Sequence, residues 1–199
     1  DLEEAFERCE SEALAFFGLG DVYVEEFLPR AKHIEVQILG DVSGSIVHFG
    51  DRECSVQRRN QKVVEIAPAP NLSPSLREKM TSAAVSFAHQ EKYMSLGTFE
   101  FLVSDKGVED DRSAGSATGD HFVFIEANAR LQVEHTVTEE VSGFDLVRGQ
   151  IAVAFGSSLT DLGLDAQAPP TLSGFAIQAR VNLETITADG GVRPGSGRL

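Results

Sequence analysis

The chain has 199 residues, of which 42% are hydrophobic and 24% are charged, and its formal net charge is −14. This composition is ordinary for a globular domain, and the negative charge excludes a general binder of nucleic acid or of anionic membrane surfaces. No apolar run reaches the ~18 residues of a membrane span, and no signal peptide is visible. The two cysteines, Cys9 and Cys54, lack a metal-binding spacing, so we expect free thiols and a cytoplasmic location, or a mitochondrial one in a eukaryote.

Hydrophobic periodicity predicts helices and strands without strict alternation, which favours the α+β class. Apolar residues at helical spacing predict a first helix over residues 1–18. Alternating residues predict strands over 21–28, 33–39 and 45–49, and His33 lies on the polar face of the second. The other predicted elements are a helix from Ser73 with Leu76, Met80, Ala83 and Phe87 on one side, strands over 97–103, 121–128 and 172–182, a surface loop over 104–120, and a helix pair over 136–155 broken near Gly143.

Two acidic strands predict a cation site. If residues 97–103 pair with 121–128, Glu100 lies beside Glu126 and Asn128 at the ~4.8 Å separation of neighbouring strands. Two close carboxylates repel each other, and a divalent cation relieves that repulsion. Mg²⁺ favours a few protein oxygens completed by phosphates and water. The alternative is a half-exposed strand whose polar residues face solvent.

Two further polar segments are candidates for binding small ligands. From Glu126 to Glu134, polar residues fall at every second position, which places them on one side of an extended segment. Its straight length of roughly 26 Å is too great for one small ligand, so the chain bends after Asn128 or the row serves several ligands. Residues 57–62 combine three cations with three amides and could bind an anion, although a solvated loop is an equal alternative.

Three segments of the chain together resemble the biotin carboxylases, ATP-grasp enzymes of biotin-dependent carboxylases such as the acyl-CoA carboxylase alpha subunit. The sequence RECSVQRRNQKVVEIAPAP, over residues 52–70, resembles the long anion-site signature of that family. The sequences GTFEFL over 97–102 and FIEANARLQVEH over 124–135 resemble its metal and bicarbonate signatures. Their order and approximate spacing match over nearly the whole chain, which is more specific than any single short motif.

The resemblance implies a partial ATP-grasp fold and a role for each matching residue. Glu100 and Glu126 would hold Mg²⁺ or Mn²⁺ against the phosphates of ATP, with Asn128 beside them. Glu134 would be the general base, and Arg180 would stabilise the enolate of biotin. The nucleotide-binding residues implied are Glu25, Leu28, His33 and Gln57, and the bicarbonate-binding residues implied are Lys62, Arg130, Gln132 and Val133. Arg130 is also counted as catalytic, since a planar guanidinium can grip the planar bicarbonate ion by two hydrogen bonds.

The reaction implied by the resemblance is the ATP-dependent carboxylation of biotin with bicarbonate, through carboxyphosphate. The implied partners are a biotin carboxyl carrier, a carboxyltransferase and a second copy of the complete chain in a homodimer. The carboxyltransferase would choose the final carboxyl acceptor, which these residues do not specify. We predict an ATP-grasp domain over residues 1–163 and the start of a C-terminal domain over 164–199.

The family's glycine-rich lid and N-terminal domain would precede Asp1, so we expect a fragment of a longer chain that is inactive alone. Two alternative functions are another ATP-grasp ligase of the carbamoyl-phosphate synthetase type and a non-catalytic ATP-grasp module. The run from Arg130 to Glu134, together with Arg180, favours the biotin enzyme over the first alternative. The presence of the predicted base and metal ligands argues against the second.

Overall fold

The computed structural model describes residues 1–58, 60–104, 121–188, 191–195 and 197. The loop predicted over 104–120 therefore lies almost entirely outside the described residues. The helices of the described part are α1 (Leu2–Phe17), α2 (Pro74–Gln90), α3 (His135–Ser142), α4 (Leu146–Ala154) and a 3₁₀ helix (Thr160–Leu162). Its strands are β1 (Ala31–Gly40), β2 (Ile46–Arg58), β3 (Gln61–Ala67), β4 (Ser95–Ser104), β5 (His121–Asn128), β6 (Ala176–Ala179), β7 (Glu184–Ile186) and β8 (Val192–Pro194). None of these helices is long and apolar enough to cross a membrane.

Six of the strands form one antiparallel sheet in the order β5-β4-β1-β2-β3-β6, and β7 pairs with β8 separately. β1 is antiparallel to both of its neighbours, β4 and β2. The pairing of β4 with β5 places Glu100 opposite Glu126 and Thr98 opposite Asn128, so the predicted meeting of the two acidic strands is confirmed. This mixture of helices and an antiparallel sheet confirms the α+β class.

Helix α2 covers one face of the sheet. The side chain of Ser73 accepts a hydrogen bond from the amide of Leu76, and Pro74 occupies the first turn, where its missing N–H costs no helical bond. The buried residues of the helix are Leu76, Met80, Thr81, Ala84 and Ala88. The four apolar residues among them pack against apolar residues of β1 and β4. The predicted stripe shares Leu76 and Met80 with this row, but Phe87 is 39% exposed because it lies beside the row, against phenylalanines of β4 and β5.

The opposite face of the sheet is polar along β1 and nevertheless buried. Helices α3 and α4, separated at Gly143, confirm the predicted helix pair. Both helices pack against this side of the sheet. Near α4 an apolar cluster that includes Leu39 and Leu146 fills the interface. Further along β1, Glu35 and Gln37 have no exposed surface. This buried polar region is where the candidate site lies.

Helix α1 and the segment that follows it lie apart from this core. Gly18 ends α1 with a φ of 75°, and none of the helix residues is buried. The strand predicted over 21–28 is wrong, because residues 19–28 belong to neither helix nor strand. Tyr23 and Phe27 are 81% and 85% exposed, and no described strand pairs with this segment. Alternation alone does not make a strand when the backbone has no partner for its hydrogen bonds.

The other strand predictions differ from the structure in extent. The strand predicted over 45–49 continues to Arg58 and is followed by β3, so residues 57–58 and 60–62 belong to a hairpin of the sheet. The strand predicted over 172–182 is reduced to β6, because only four residues of β3 pair with it. The three-residue strands β7 and β8 were not predicted, since they are too short to show a period.

Asp41 joins the turn between β1 and β2 to the segment after α4. The residue is 3% exposed, and its carboxylate accepts hydrogen bonds from the backbone and hydroxyl of Ser43, at 2.9 and 2.6 Å, and from the amides of Ser45 at 3.1 Å and Leu159 at 2.7 Å. Burial raises the pKa of Asp41, but these hydrogen bonds outweigh burial and hold its pKa below 3.8.

Replacing Asp41 by alanine is expected to lower the free energy of unfolding by about 2–3 kcal/mol at pH 7, because the buried amide of Leu159 loses its acceptor. The folded pKa is depressed, so this contribution is present above about pH 4 and is lost as the pH falls through the lowered value. Urea denaturation of the complete protein between pH 7 and pH 3 measures both effects. Asp161→Ala removes an exposed carboxylate that accepts from Ser158 and serves as the control. Equal losses in the two variants would contradict the expectation.

Candidate active site

A cavity of about 290 Å³ opens on the polar side of the sheet, beside the segment over residues 129–134. Its lining residues are His33, Gln57, Asn60, Gln61, Lys62, Glu100, Glu126, Asn128, Arg130, Gln132, Val133, Glu134 and Arg180. All of them except Asn60 and Gln61 were predicted as site residues. The structure therefore brings eleven predicted residues from several strands into one place.

Two predicted site residues, Glu25 and Leu28, do not line this cavity. They lie in the segment over 19–28, which does not join the sheet; Glu25 is exposed and Leu28 is half-buried. Arg58, from the predicted anion-binding segment, is also directed elsewhere and pairs with Glu184 at 2.6 Å. The contribution of Glu25 and Leu28 to a nucleotide site stays a prediction.

Arg52 is fully buried beside the cavity and organises its inner wall. Its guanidinium donates to the Glu35 carboxylate from Nε at 3.4 Å and from Nη2 at 3.1 Å. The other acceptors are Gln37, Thr138, Thr98 and Gln132, at 2.8, 2.9, 3.4 and 3.3 Å. Burial lowers the pKa of Arg52, and nearby acidic groups offset part of that effect. A charge buried this deeply needs every one of these acceptors, so the network fixes both Glu35 and Gln132.

Lys62 joins three carboxylates at the floor of the cavity. Its ammonium donates to Glu35, to Glu134 Oε1 at 2.8 Å and to Glu100 Oε1 at 3.2 Å. The other oxygen of Glu35 accepts from Arg52, so the buried Arg52–Glu35 pair fixes the position of the Lys62 ammonium. An ammonium has three donors, and all three are used here. An anion that binds Lys62 must therefore replace one of these contacts.

Glu100 is 1% exposed and is surrounded by donors. Besides Lys62, its carboxylate contacts His33 Nε2, Asn128 Nδ2 at 2.7 Å and Gln132 Nε2 at 2.9 Å. Burial raises the pKa of Glu100, but the hydrogen bond from His33 and the charge of Lys62 outweigh burial, and the pKa lies at about 2. Glu100 is therefore ionised at neutral pH and can serve as an anionic ligand.

The hydrogen bonds of His33 identify its tautomer. The amide nitrogen of Gln57 lies 2.9 Å from Nδ1 of His33, and an amide nitrogen can only donate. Nδ1 is therefore the acceptor, and Nε2 carries the proton that faces Glu100. Gln57 itself is fixed by a second bond, from its amide to the carbonyl of Cys54 at 2.9 Å.

A single amide group bridges the carboxylates of Glu100 and Glu126, the two residues predicted to bind a divalent cation. Asn128 Nδ2 donates to Oε1 of Glu100 at 2.7 Å and to Oε1 of Glu126 at 3.1 Å, so a positively polarised group already bridges the two carboxylates. Carboxylate oxygens are the ligands that Mg²⁺ prefers. The amide nitrogen of Asn128 faces the carboxylates in this structure. Ligation by Asn128 would therefore need a rotated side chain that presents its oxygen.

Glu134 lies between two cations immediately before α3. The residue is 2% exposed; its Oε1 accepts from Lys62 at 2.8 Å and its Oε2 accepts from Arg180 Nη2 at 2.7 Å. Burial raises the pKa of Glu134, but the hydrogen bond and charge of Lys62 outweigh burial, so the pKa falls below 4.5. An ionised carboxylate at a cavity wall can take a proton once a substrate draws away one of its cations.

Arg130 and Val133 lie on the exposed side of the same cavity. The chain leaves β5 at Asn128 and bends, which is one of the two alternatives that the length of the polar row left open. Arg130 donates to the carbonyl of Leu131 at 3.2 Å, and no carboxylate of the described residues forms an ion pair with it. A planar guanidinium of this kind is available to a planar anion.

Three buried charged residues beside the cavity, Glu35, Arg52 and Glu65, are missing from the predicted site. Arg52 and Glu65 belong to the segment 52–70, and Glu35 shares the polar face of β1 with His33. Their alternation with apolar neighbours was the available signal. It predicts a solvent-facing side of the strand by default, since charged residues are rarely fully buried.

Comparison with known proteins places these residues in a family. Residues 1–162 match the family model described as "Carbamoyl-phosphate synthase L chain, ATP binding domain". The chain belongs to this family. Human mitochondrial pyruvate carboxylase is 51% identical over 199 residues, which are 100% of this chain and 16% of that protein. The chain thus spans less than a fifth of this relative.

Two solved structures of biotin carboxylases have the same fold as this chain. Biotin carboxylase of Campylobacter jejuni, in a β-γ-ATP complex, gives a TM-score of 0.82 at 39% identity, over 94% of this chain and 38% of that chain. The biotin carboxylase domain dimer of Hydrogenobacter thermophilus 2-oxoglutarate carboxylase, with MgADP, ADP and bicarbonate, gives 0.78 at 40% identity, over 92% and 37%. The resemblance to biotin carboxylases and the ATP-grasp fold are confirmed. The acyl-CoA carboxylase alpha subunit was only an example of the family, and these relatives are a pyruvate carboxylase, a biotin carboxylase and a 2-oxoglutarate carboxylase domain.

Proposed function

We propose that the chain forms the ATP- and bicarbonate-binding part of a biotin carboxylase, which uses ATP to carboxylate biotin on a carrier. The observation that carries this proposal is the position of Glu134, an ionised buried carboxylate held between Lys62 and Arg180. The same cavity contains the carboxylate pair of Glu100 and Glu126. One cavity thus offers a base, cations for a small anion and ligands for a metal ion.

Lys62, Arg130, Gln132 and the Val133 backbone hold the bicarbonate ion in this proposal. Glu134 takes the proton of bicarbonate, and the freed oxygen forms a bond to the γ-phosphorus of ATP while the bond from that phosphorus to the β–γ bridging oxygen breaks. The products of this step are ADP and carboxyphosphate, which then gives CO₂ and phosphate. Mg²⁺, when bound by Glu100 and Glu126 with Asn128 beside them, neutralises charge on the phosphates.

His33 and Gln57 contact the nucleotide, and Glu25 and Leu28 complete its site at the adenine. The direct bond from His33 to Glu100 links nucleotide and metal residues, which supports a shared pocket. Arg180 donates to the ureido oxygen of biotin, where negative charge develops as the phosphate released from carboxyphosphate takes the N–H proton; the ureido nitrogen then forms its bond to CO₂. Exclusion of water from this site protects carboxyphosphate from hydrolysis.

The test is ADP release by the complete parent protein, with Mg²⁺ and bicarbonate, in the presence and absence of biotin. Release that requires bicarbonate and rises with biotin is expected. Release that ignores both free biotin and a biotinylated carrier would point to another ATP-grasp ligase. A folded protein that binds ATP without releasing ADP would instead be a non-catalytic module.

Arg180→Ala is expected to lower kcat/KM for biotin by about tenfold or more while the affinity for ATP changes little, because a charge-assisted hydrogen bond in the transition state is lost. Steady-state kinetics with free biotin and a nucleotide-binding titration measure the two quantities. Arg148→Ala, on the exposed surface of α4, is the control and should alter neither. Equal losses of both quantities in Arg180→Ala would indicate a structural arginine.

The proposal extends to the parent protein. Its partners are a biotin carboxyl carrier and a carboxyltransferase, supported by a relative described as a complete multifunctional pyruvate carboxylase. A homodimer is supported by the dimer named for the Hydrogenobacter domain. Pyruvate is the first acceptor to test, since the human relative is a pyruvate carboxylase, and the location is cytoplasmic or, in a eukaryote, mitochondrial. The domain boundary proposed after residue 163 lies between α4 and β6.

A further inference from the structure

Glu65 lies in β3, next to the arginine assigned to biotin. It is paired with Gln178 of β6, and the amide of Arg180 donates to the carbonyl of Val63 at 2.8 Å. This register brings the side chain of Arg180 to Glu65, whose Oε1 accepts from Nε at 2.8 Å. Glu65 is completely buried, whereas the side chain of Arg180 is 28% exposed.

The guanidinium of Arg180 is divided between two carboxylates. Its Nε donates to Glu65, and its Nη2 donates to Glu134 at 2.7 Å. Glu134 is a wall of the cavity, but Glu65 is not. When a substrate takes over the contact at Nη2, the contact at Nε can therefore remain and hold the plane of the guanidinium.

Folding stability does not account for a glutamate at this position. Oε2 of Glu65 has no hydrogen-bond partner among the described residues, which is unusual for a buried carboxylate oxygen. Burial raises the pKa of Glu65, and the charge of Arg180 offsets only part of that rise. An apolar residue of similar shape would fold about as well, because Arg180 is 28% exposed and keeps Glu134 as a partner, so no unpaired charge is left buried.

We propose that Glu65 is a positioning residue for Arg180, holding its guanidinium through Nε so that Nη2 is presented to Glu134 and to the biotin ureido group. The proposal rests on the function proposed above. It predicts that Glu65 affects the step with biotin and has little effect on ATP or on the fold.

The test compares Glu65→Met and Glu65→Gln in the complete parent protein. Glu65→Met is expected to lower kcat/KM for free biotin by up to about tenfold, and by no more than Arg180→Ala does, because the acceptor of Nε is lost while the guanidinium remains. The KM for ATP and the bicarbonate-dependent ADP release without biotin should change by less than about threefold, and the melting temperature should change little, because Arg180 keeps Glu134 as a partner. Glu65→Gln should lose less, since its amide oxygen can still accept from Nε.

Two controls separate positioning from a general effect. In an Arg180→Ala background, Glu65→Met should reduce the rate with biotin by less than a further threefold or so, since both changes act through one guanidinium. Glu53→Gln removes another partly buried carboxylate, which pairs with Lys32 of β1 rather than with Arg180. This variant should leave the kinetics with biotin unchanged.

Three outcomes would overturn the proposal. Unchanged biotin kinetics in Glu65→Met would show that Arg180 needs no anchor. Equal losses with ATP and biotin, together with a lower melting temperature, would show a structural glutamate. A wild-type protein without bicarbonate-dependent ADP release would overturn the proposed function and this inference with it.

Discussion

Glu134→Gln is expected to reduce bicarbonate-dependent ADP release by at least about a hundredfold, because a positioned general base contributes roughly 10²–10⁴ to the rate. Glutamine keeps the size of the side chain and can still accept a hydrogen bond from Lys62, but it cannot take a proton. Nucleotide binding should stay nearly unchanged, since Glu134 does not contact His33 or Gln57 in the structure. Initial rates of ADP release and an ATP-binding titration measure the two effects.

Glu140→Gln is the matched control for this change. Glu140 lies on α3, six residues after the proposed base, and is exposed. It should release ADP at the wild-type rate. Substantial bicarbonate-dependent ADP release by Glu134→Gln would show that Glu134 is not the base. Loss of ATP binding together with ADP release would show that Glu134 has a structural role in the pocket.

Arg52→Met is expected to lower the free energy of unfolding by about 3–5 kcal/mol, because it leaves the carboxylate of Glu35 buried beside a single cation, Lys62. The amides and hydroxyls that surround Arg52 lose their donor at the same time. Thermal and urea denaturation of the complete protein measure this loss. Arg58→Met is the control, because its ion pair with Glu184 is exposed and such pairs contribute about 0–1 kcal/mol.

A double change tests what the buried pair is for. Glu35→Leu combined with Arg52→Met should recover most of the lost stability, since an apolar pair replaces a buried charge pair at little cost. ADP release should nevertheless stay low, because Lys62 then lacks the carboxylate that positions it. Recovery of both stability and activity would show that Arg52 and Glu35 act only in folding.

The sequence predicted those elements whose signals are local. The helix from Ser73 has its cap and its row of apolar residues within one segment, and β1 alternates cleanly. Residues 21–28 alternate as well, but a strand needs a partner that the segment itself cannot reveal. The hairpin of β2 with β3 was missed because polar residues on both sides of Asn60 are equally compatible with a solvated loop.

The site was predicted unevenly for a related reason. Glu100, Glu126 and Asn128 follow from the register of two neighbouring strands, which the structure confirms. Arg52 and Glu65 do not follow, because local patterning places charged residues at the surface, and only the packing of α3 makes their side of the sheet an interior. The network that positions the reactive groups is thus tertiary in origin.

The short strand β6 has a consequence for the order in which the site becomes complete. It holds four residues at the edge of the sheet, yet it delivers Arg180 to a glutamate 115 positions earlier in the chain. Edge segments with few hydrogen bonds open at lower free energy than central strands. We therefore expect amide hydrogen exchange at β6 to be faster than at β1. Brief openings of β6 would separate Arg180 from Glu65 and leave the residues proposed to bind bicarbonate and metal in place. The contacts proposed for biotin would therefore be lost more easily than the rest of the site.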